Sequence, residues 1–95
     1  MSMDITKAIE QISRLKNLLS LPTTDVVWSS YNSADEAIKD LEEIEKGLKN
    51  SDKNVVDRLC YLLSPTGSLQ EISISSGWGY EFLDIADALE KAVGR

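Results

Sequence analysis

Seven side chains of this sequence have the types and spacing that could act at a functional site. They form an acidic group, which could attract cations, and an aromatic group, which could fill or build a binding surface. The acidic group consists of Glu36, Asp40 and Glu43. The aromatic group consists of Trp28, Tyr31, Trp78 and Tyr80. What either group can do depends on the helices and turns that carry it.

The acidic group has the spacing of one flank of a helix. At about 100° per residue its three carboxylates lie within roughly 60° of one another, and none has a lysine four residues later. Such oxygen ligands could bind a divalent cation, but the sequence lacks the pattern of a calcium-binding loop. A docking surface for a basic protein needs only a charged patch, so we favour a basic partner over a metal. The plain alternative is a solvated helix face.

The aromatic group lies beside predicted turns. Tryptophan and tyrosine at such positions often close the open end of a small helical bundle. The same residue types are enriched in interaction hot spots, so any ring that stays exposed is the best candidate for contact with a partner. A pocket lined by these rings would instead indicate a small-ligand binder.

The remaining polar residues show no arrangement suited to catalysis. The sequence has no histidine, which excludes an imidazole base. Its single cysteine, Cys60, lies in an apolar segment without a base or cation placed to activate the thiol, so we interpret it as a small core residue. The serines cluster at predicted helix starts and turns, which is typical of caps. We therefore predict that the protein is not an enzyme and uses no cofactor or metal.

The formal net charge is -6, and the acidity lies after the first twenty residues. Residues 21–58 carry nine acids against five bases, and residues 59–95 five against two. An acidic surface repels phosphate backbones, so we expect no nucleic-acid binding and favour a basic protein partner. No apolar run reaches the roughly 18 residues that span a bilayer, and no export signal is visible. We expect one cytoplasmic domain over residues 1–95, without membrane contact.

Two helices are predicted in the first half of the chain. Apolar residues recur every three or four positions from Asp4 to Leu19, with Ser2 or Asp4 as the cap. Residues 25–32 are expected to form one helical turn or an extended segment over the core. Ser33 begins a capping box, in which its hydroxyl accepts from the NH of Glu36 and Glu36 reaches back to the NH of Ser33.

The second helix carries an apolar stripe and three acid-before-base pairs four residues apart. The stripe is Ala34, Ala37, Ile38, Leu41, Ile44 and Leu48; the pairs are Asp35 with Lys39, Glu42 with Lys46, and Glu45 with Lys49. A turn at residues 50–52 then starts a third helix that ends before Pro65 and should touch neighbours on more than one side. Its apolar residues are Val55, Val56, Leu59, Cys60, Leu62 and Leu63.

The last third of the chain contains a second capping box, Ser68-Leu69-Gln70-Glu71. Residues 69–75 fit a helix or a strand, and the cap favours a short helix. Gly77 and Gly79 predict a turn around Trp78, and a final helix follows from Tyr80 to Val93. Its inward residues are predicted to be Phe82, Leu83, Ile85, Ala86, Leu89 and Val93.

These elements predict an all-α fold, a compact bundle of four main helices and one short helix. Trp28 and the segment Gly67-Ser68-Leu69-Gln70-Glu71-Ile72 resemble a group of small, uncharacterised bacterial helical proteins with a Gly-Ser-x-x-Asp-Leu-type turn into a helix. The sequence departs from that group by having Glu71 in place of aspartate and Ser64-Pro65-Thr66 in place of further glycines. The resemblance implies a fold and no activity.

Our leading functional hypothesis is a non-enzymatic interaction module that binds a basic protein, comparable to toxin-immunity proteins in size and charge only. The acidic and aromatic groups are its predicted partner-binding residues. A structural module that forms a homo-oligomer is the second hypothesis, and a small-ligand binder is the third.

Overall fold

The computed structural model describes residues 4–26, 31–64 and 67–94, and these residues contain five α-helices and no strand. The helices are α1 (Ile5–Leu19), α2 (Ala34–Lys49), α3 (Lys53–Leu63), α4 (Ser68–Ser76) and α5 (Gly79–Ala92). The predicted all-α bundle of four main helices and one short helix is confirmed. Within the described ranges, no helix is long and apolar enough to cross a membrane.

The helices pack in a closed ring that follows the order of the chain. Each helix contacts the one before it and the one after it, and α5 closes the ring on α1. The third helix touches α2 and α4, as predicted. All five helices contribute to one apolar core, whose large, fully buried residues include Ile12, Leu15, Leu41, Ile44, Leu59, Ile72, Phe82 and Ile85. The 3.6-residue period of these residues is why the apolar pattern predicted helices.

Two predicted helix starts are confirmed. The carboxylate of Asp4 accepts from the backbone NH of Lys7 (3.0 Å), and the hydroxyl of Ser33 accepts from the NH of Glu36 (3.4 Å). The reciprocal half of the Ser33 capping box is wrong, because Glu36 accepts from the NH of Asn32 (3.3 Å) and not from that of Ser33. The carboxylate still satisfies a backbone donor ahead of α2, one residue earlier than predicted.

The start of α4 also differs from the prediction. Ser68 is the first helical residue, and the cap position belongs to Gly67. The backbone at Gly67 passes so close to the end of α3 that a Cβ there would lie 2.7 Å from the carbonyl oxygen of Leu62. Position 67 therefore requires a residue without a side chain. Ser68, which was predicted to be the cap, is instead the first residue of the helix. Residues 69–75 are helical, as the favoured interpretation predicted.

The turn between α2 and α3 is a Schellman motif. The NH of Asp52 donates to the carbonyl of Gly47 (2.9 Å), and the NH of Ser51 donates to that of Leu48 (3.1 Å). Ser51 adopts a positive φ of 58°, a conformation that normally favours glycine. Gly47 lies against α3, where a Cβ would come within 2.4 Å of Val55 Cγ1. These features set the close packing of the second and third helices.

The three ion pairs predicted along α2 are wrong. Glu45 instead contacts Lys16 of α1, and both side chains are largely shielded from solvent. The flank of α2 that carries Glu45 faces α1, so the carboxylate has a partner across the helix interface. An ion pair between residues four apart in one helix does form on α5, between Asp87 and Lys91 (3.0 Å).

The connector between α1 and α2 is fastened to α4 as well as to α1. The hydroxyl of Thr24 donates to the carbonyl of Leu18 (2.6 Å), and the NH of Asp25 donates to Ser76 Oγ (2.8 Å). Val26 is partly buried against the core. Residues 27–30, including Trp28, lie outside the described residues, so the prediction for 25–32 is answered only at its ends, which are neither helix nor strand.

Candidate functional site

The acidic group of α2 lies beside a cation from α3. Arg58 donates to Asp40 Oδ1, and its second terminal nitrogen lies 3.4 Å from Glu43 Oε2. Glu36, Asp40 and Glu43 together carry -3, and Arg58 contributes +1, which leaves a formal charge of -2 on this surface. Helical spacing within α2 could not reveal this pairing, because Arg58 belongs to the next helix.

Tyr31 forms a hydrogen bond with the other carboxylate oxygen of Asp40. Its hydroxyl donates to Asp40 Oδ2 (2.8 Å), so both carboxylate oxygens of this residue have partners inside the protein. Burial raises the pKa of Tyr31 far above its ordinary value, and the hydrogen bond to Asp40 and the negative charge of Asp40 raise it further. Tyr31 therefore remains protonated near neutral pH and fastens the start of α2. Of the acidic group, Glu43 has a side chain that is 70% exposed and remains accessible to a partner.

The described members of the aromatic group occupy three different environments. Trp78 is buried at 4% exposure, Tyr31 is partly buried against α2, and Tyr80 is 89% exposed. Trp28, the fourth member, lies outside the described residues. The two roles predicted for the aromatic group therefore fall to different residues. Trp78 lies in the core, and Tyr80 lies on the surface.

Trp78 connects α4 to α5 through its backbone. Its NH donates to the carbonyl of Ser73 (3.0 Å), and Gly77, with φ of 83°, donates to Ile74 (3.3 Å), which forms a Schellman motif at the end of α4. Its carbonyl accepts from the NH of Phe82 (3.0 Å), the first hydrogen bond of α5. One residue thus ends α4 and begins α5, and its buried ring holds that junction against the core. This explains the position of a tryptophan in the turn.

The indole NH of Trp78 is buried without an acceptor among the described residues. A buried donor without a partner costs about 1–3 kcal/mol. Among the described residues, the ring of Trp78 is therefore held by packing.

An apolar surface lies next to the same turn. Ile74 of α4 is 63% exposed, Leu83 of α5 is 55% exposed, and Tyr80 stands beside them. We call these three residues the α4–α5 patch. Together with Gln70 and the two turn glycines they line a shallow depression of about 370 Å³. The structure thus brings one residue of the predicted aromatic group together with two aliphatic residues that were not predicted as site residues.

The prediction that Leu83 points inward is wrong. The buried residues of α5 are Phe82, Ile85, Ala86, Leu89 and Ala92. At about 100° per residue, position 83 lies roughly 100° from position 82 and outside the stripe that these residues define. The same angular spacing places Leu83 about 60° from Tyr80, so the spacing of 80 and 83 contained a signal for an exposed apolar pair.

Helices α4 and α5, which carry the α4–α5 patch, are rich in acidic residues. The exposed acids of these two helices are Glu71, Glu81, Asp84, Asp87 and Glu90, and Lys91 is their one basic residue. Asp84 lies 3.2 Å from Arg14 of α1 and Asp87 lies 3.0 Å from Lys91, with all four side chains substantially exposed. Such surface pairs contribute little free energy. By helical spacing, Asp87 and Glu90 share the flank of α5 that carries Tyr80 and Leu83, so acidic residues lie beside the patch further along α5.

A second, charged depression of about 400 Å³ lies along α1 and α2. Its lining is Lys16, Lys39, Glu42, Glu43, Glu45, Lys46 and Lys49. Acids and bases alternate there, and the pair of Lys16 and Glu45 joins the two helices. This groove is best explained as a structural contact between α1 and α2.

Cys60 is partly buried and packs against the core, consistent with its interpretation as a small apolar residue. Among the described residues, no group of three or more cysteine or carboxylate side chains is arranged to hold a metal ion. The acidic group of α2, in particular, is spread along two turns and shared with Arg58.

Comparison of the whole chain with protein-family models, with curated proteins and with solved structures found no match.

Proposed function

We propose that this chain is a non-enzymatic protein–protein interaction module that binds a basic partner. The observation that carries the proposal is the α4–α5 patch, where Ile74, Tyr80 and Leu83 are exposed side by side, with Asp87 and Glu90 further along the same flank of α5. Folded proteins bury most of their large apolar side chains, and a group of exposed ones with a polar border is typical of an interaction surface. Tyrosine is among the residue types that contribute most to binding energy.

The acidic surfaces and the patch would serve different steps of binding. A net charge of -6 attracts a basic protein over several ångströms and raises the rate of encounter. Apolar contact at the patch then supplies the short-range free energy that holds the complex. The acidic group of α2 belongs to the first step, because Arg58 and Tyr31 already engage Asp40.

The test compares three forms of the immobilised chain in lysate of the source organism. They are the unmodified chain, the double variant Tyr80→Ser with Leu83→Ser, and the control Tyr61→Ser. Tyr61 is 71% exposed but lies on α3, outside the lining of the patch depression. We expect one basic protein to be retained by the unmodified chain and the control, and to be lost from the double variant.

Ionic strength provides the second arm of this test. Retention should weaken between low and high salt, because screening shortens the reach of the acidic surface. Columns that stay empty at low ionic strength, or that retain the same proteins whether or not the patch is altered, would refute the proposed function.

A further inference from the structure

We infer that the segment bound at the α4–α5 patch is an amphipathic helix with apolar residues at one end of its contact face and lysine or arginine residues one to two turns away. This inference deepens the proposed function and rests on it. It commits to the shape and charge order of the partner segment, which the proposed function leaves unspecified.

The charge order comes from a single stripe on α5. Tyr80, Leu83, Asp87 and Glu90 follow one another at intervals of three, four and three residues. At about 100° and 1.5 Å per residue, they lie within roughly 80° of one another and extend over about 15 Å. The stripe is apolar next to the turn, and further along the helix it carries Asp87 and Glu90 together with Lys91, which pairs with Asp87. A segment lying along it meets apolar side chains first and carboxylates second.

A second wall for this segment comes from α4. Gln70 and Ile74 are four residues apart, share one flank of α4 and line the same depression as Tyr80 and Leu83. The depression therefore lies between two helices, and its apolar end is at the turn. Grooves of this form accept the apolar face of a third helix.

The groove suits a helix better than an extended peptide. An extended peptide gains most of its affinity by adding a strand to the edge of a sheet, and the described part of this chain has no strand. A proline-rich peptide docks between several aromatic rings, whereas Tyr80 is the aromatic side chain lining this depression.

The acidic end of the stripe can accept the cations of a partner. Asp87 pairs with Lys91 at 3.0 Å, but both side chains are mostly exposed, and Glu90 lies one turn further along. Exposed pairs of this kind are weak, so a lysine or arginine of the partner can replace or join Lys91. A second copy of this chain would bring acidic residues together, and like charges across an interface oppose association.

The test uses the intact chain and four labelled peptides of about 18 residues, a length at which an alanine-rich helix is populated. The first peptide has two leucines and two lysines in order along one helical stripe. The second interleaves the same residues, the third has glutamate in place of lysine, and the fourth has a central proline. By fluorescence anisotropy at low ionic strength, we expect the first peptide to bind at least about tenfold more tightly than the other three.

Variants of the chain identify the surface that the first peptide contacts. Tyr80→Ser with Leu83→Ser should weaken its binding at least about tenfold, and Tyr61→Ser should leave it unchanged. Glu90→Lys should weaken the lysine peptide and strengthen the glutamate peptide, a reversal that loss of folding cannot produce. All of these positions are exposed, so the variants should fold.

Equal binding of the ordered and interleaved peptides, or no reversal in Glu90→Lys, would overturn the charge order. Equal binding of the proline peptide would overturn the helical form. If a basic protein is captured through the patch while the peptides do not differ, the inference fails and the proposed function stands. A dimer in sedimentation velocity that Tyr80→Ser with Leu83→Ser dissociates would assign the patch to a second copy and overturn the inference.

Discussion

Trp78 and Tyr80 are separated by a single residue, yet Trp78 is 4% exposed and Tyr80 is 89% exposed. Trp78 is the residue before α5, and Tyr80 is the second residue of that helix. Where the backbone of Trp78 joins α4 to α5, one ring lies in the core and the other in solvent. The junction that stabilises one end of the bundle therefore also presents the most exposed ring of the proposed binding surface.

The buried ring of Trp78 leads to a first prediction. Trp78→Ala should lower the free energy of unfolding by about 3–5 kcal/mol, the usual cost of removing a large buried ring. Trp78→Phe should cost clearly less, because it keeps an aromatic ring and removes a buried NH that has no acceptor among the described residues. Urea denaturation of both variants measures the difference. Equal losses would show that the NH has a partner.

Two leucines of α5 test the correction to the inward face. Leu89 is fully buried, so Leu89→Ala should lower the free energy of unfolding by about 2–5 kcal/mol. Leu83 is 55% exposed, and Leu83→Ala should change it by no more than about 0.5 kcal/mol. The two substitutions remove the same atoms from the same helix. A comparable loss at both positions in chemical denaturation would contradict the exposure of Leu83.

Two glycines form a second matched pair. Gly67→Ala places a Cβ 2.7 Å from the carbonyl oxygen of Leu62 and should destabilise the protein by at least about 1–3 kcal/mol. At Gly79, a Cβ meets nothing within 4 Å, and alanine favours the helix that begins there. Gly79→Ala should therefore leave stability unchanged or raise it by up to about 1 kcal/mol. Thermal and urea unfolding should rank the variants in this order.

The positive φ of Ser51 predicts that a glycine is preferred in the α2–α3 turn. Ser51→Gly should raise the free energy of unfolding by about 1 kcal/mol, since a left-handed backbone costs an L-residue about 1–2 kcal/mol. Asn50, the neighbouring residue, has φ of -95°. Asn50→Gly should lower stability by about 0.5–1 kcal/mol through chain entropy. Stabilisation by both glycines would indicate a general effect of turn composition instead.

The environment of Tyr31 predicts a loss of stability in alkali. Its pKa is raised in the folded protein, chiefly by burial, above the value of 10.0 that it has when unfolded. The unfolded chain therefore releases the tyrosine proton at a lower pH than the folded protein does. The contribution of Tyr31 to stability is complete below the unfolded pKa of 10.0, and it declines as the pH rises from there through the higher pKa of the folded protein. Tyr31→Phe should remove this part of the decline. The difference between the two denaturation curves against pH isolates it from the titration of lysines.

The helices were predictable because they depend on periodicity, and several of the errors arose where contacts between helices decide the outcome. Ile12 and Leu41 repeat with their neighbours at three and four positions, and a local pattern suffices to place them inside. Ser68 fits a cap by its local sequence, but the close approach of Gly67 to Leu62 sets the start of α4. Sequence rules for helix caps do not include the distance between Gly67 and Leu62.

The candidate site was predictable in part. Tyr80 was identified by its residue type beside a turn, whereas Leu83 was predicted to point inward and Ile74 was given no role, because residue type alone does not show which side of a helix is covered. Arg58 was missed for another reason. Its contacts with Asp40 and Glu43 join two helices, and sequence spacing describes only contacts within one.

The backbone NH of Asp4 donates to the carbonyl of Ala92 at 2.7 Å, so the helical ring has a seam where its first and last helices meet. The arrangement of the helices is consequently separable from their order in the chain. A circular permutant joined across this seam and opened at residues 50–52 would run from α3 through α5 and α1 to α2 and keep the same neighbours around the ring, at the cost of the Schellman hydrogen bonds between α2 and α3. In such a molecule the α4–α5 patch would lie near the middle of the chain, away from either new terminus.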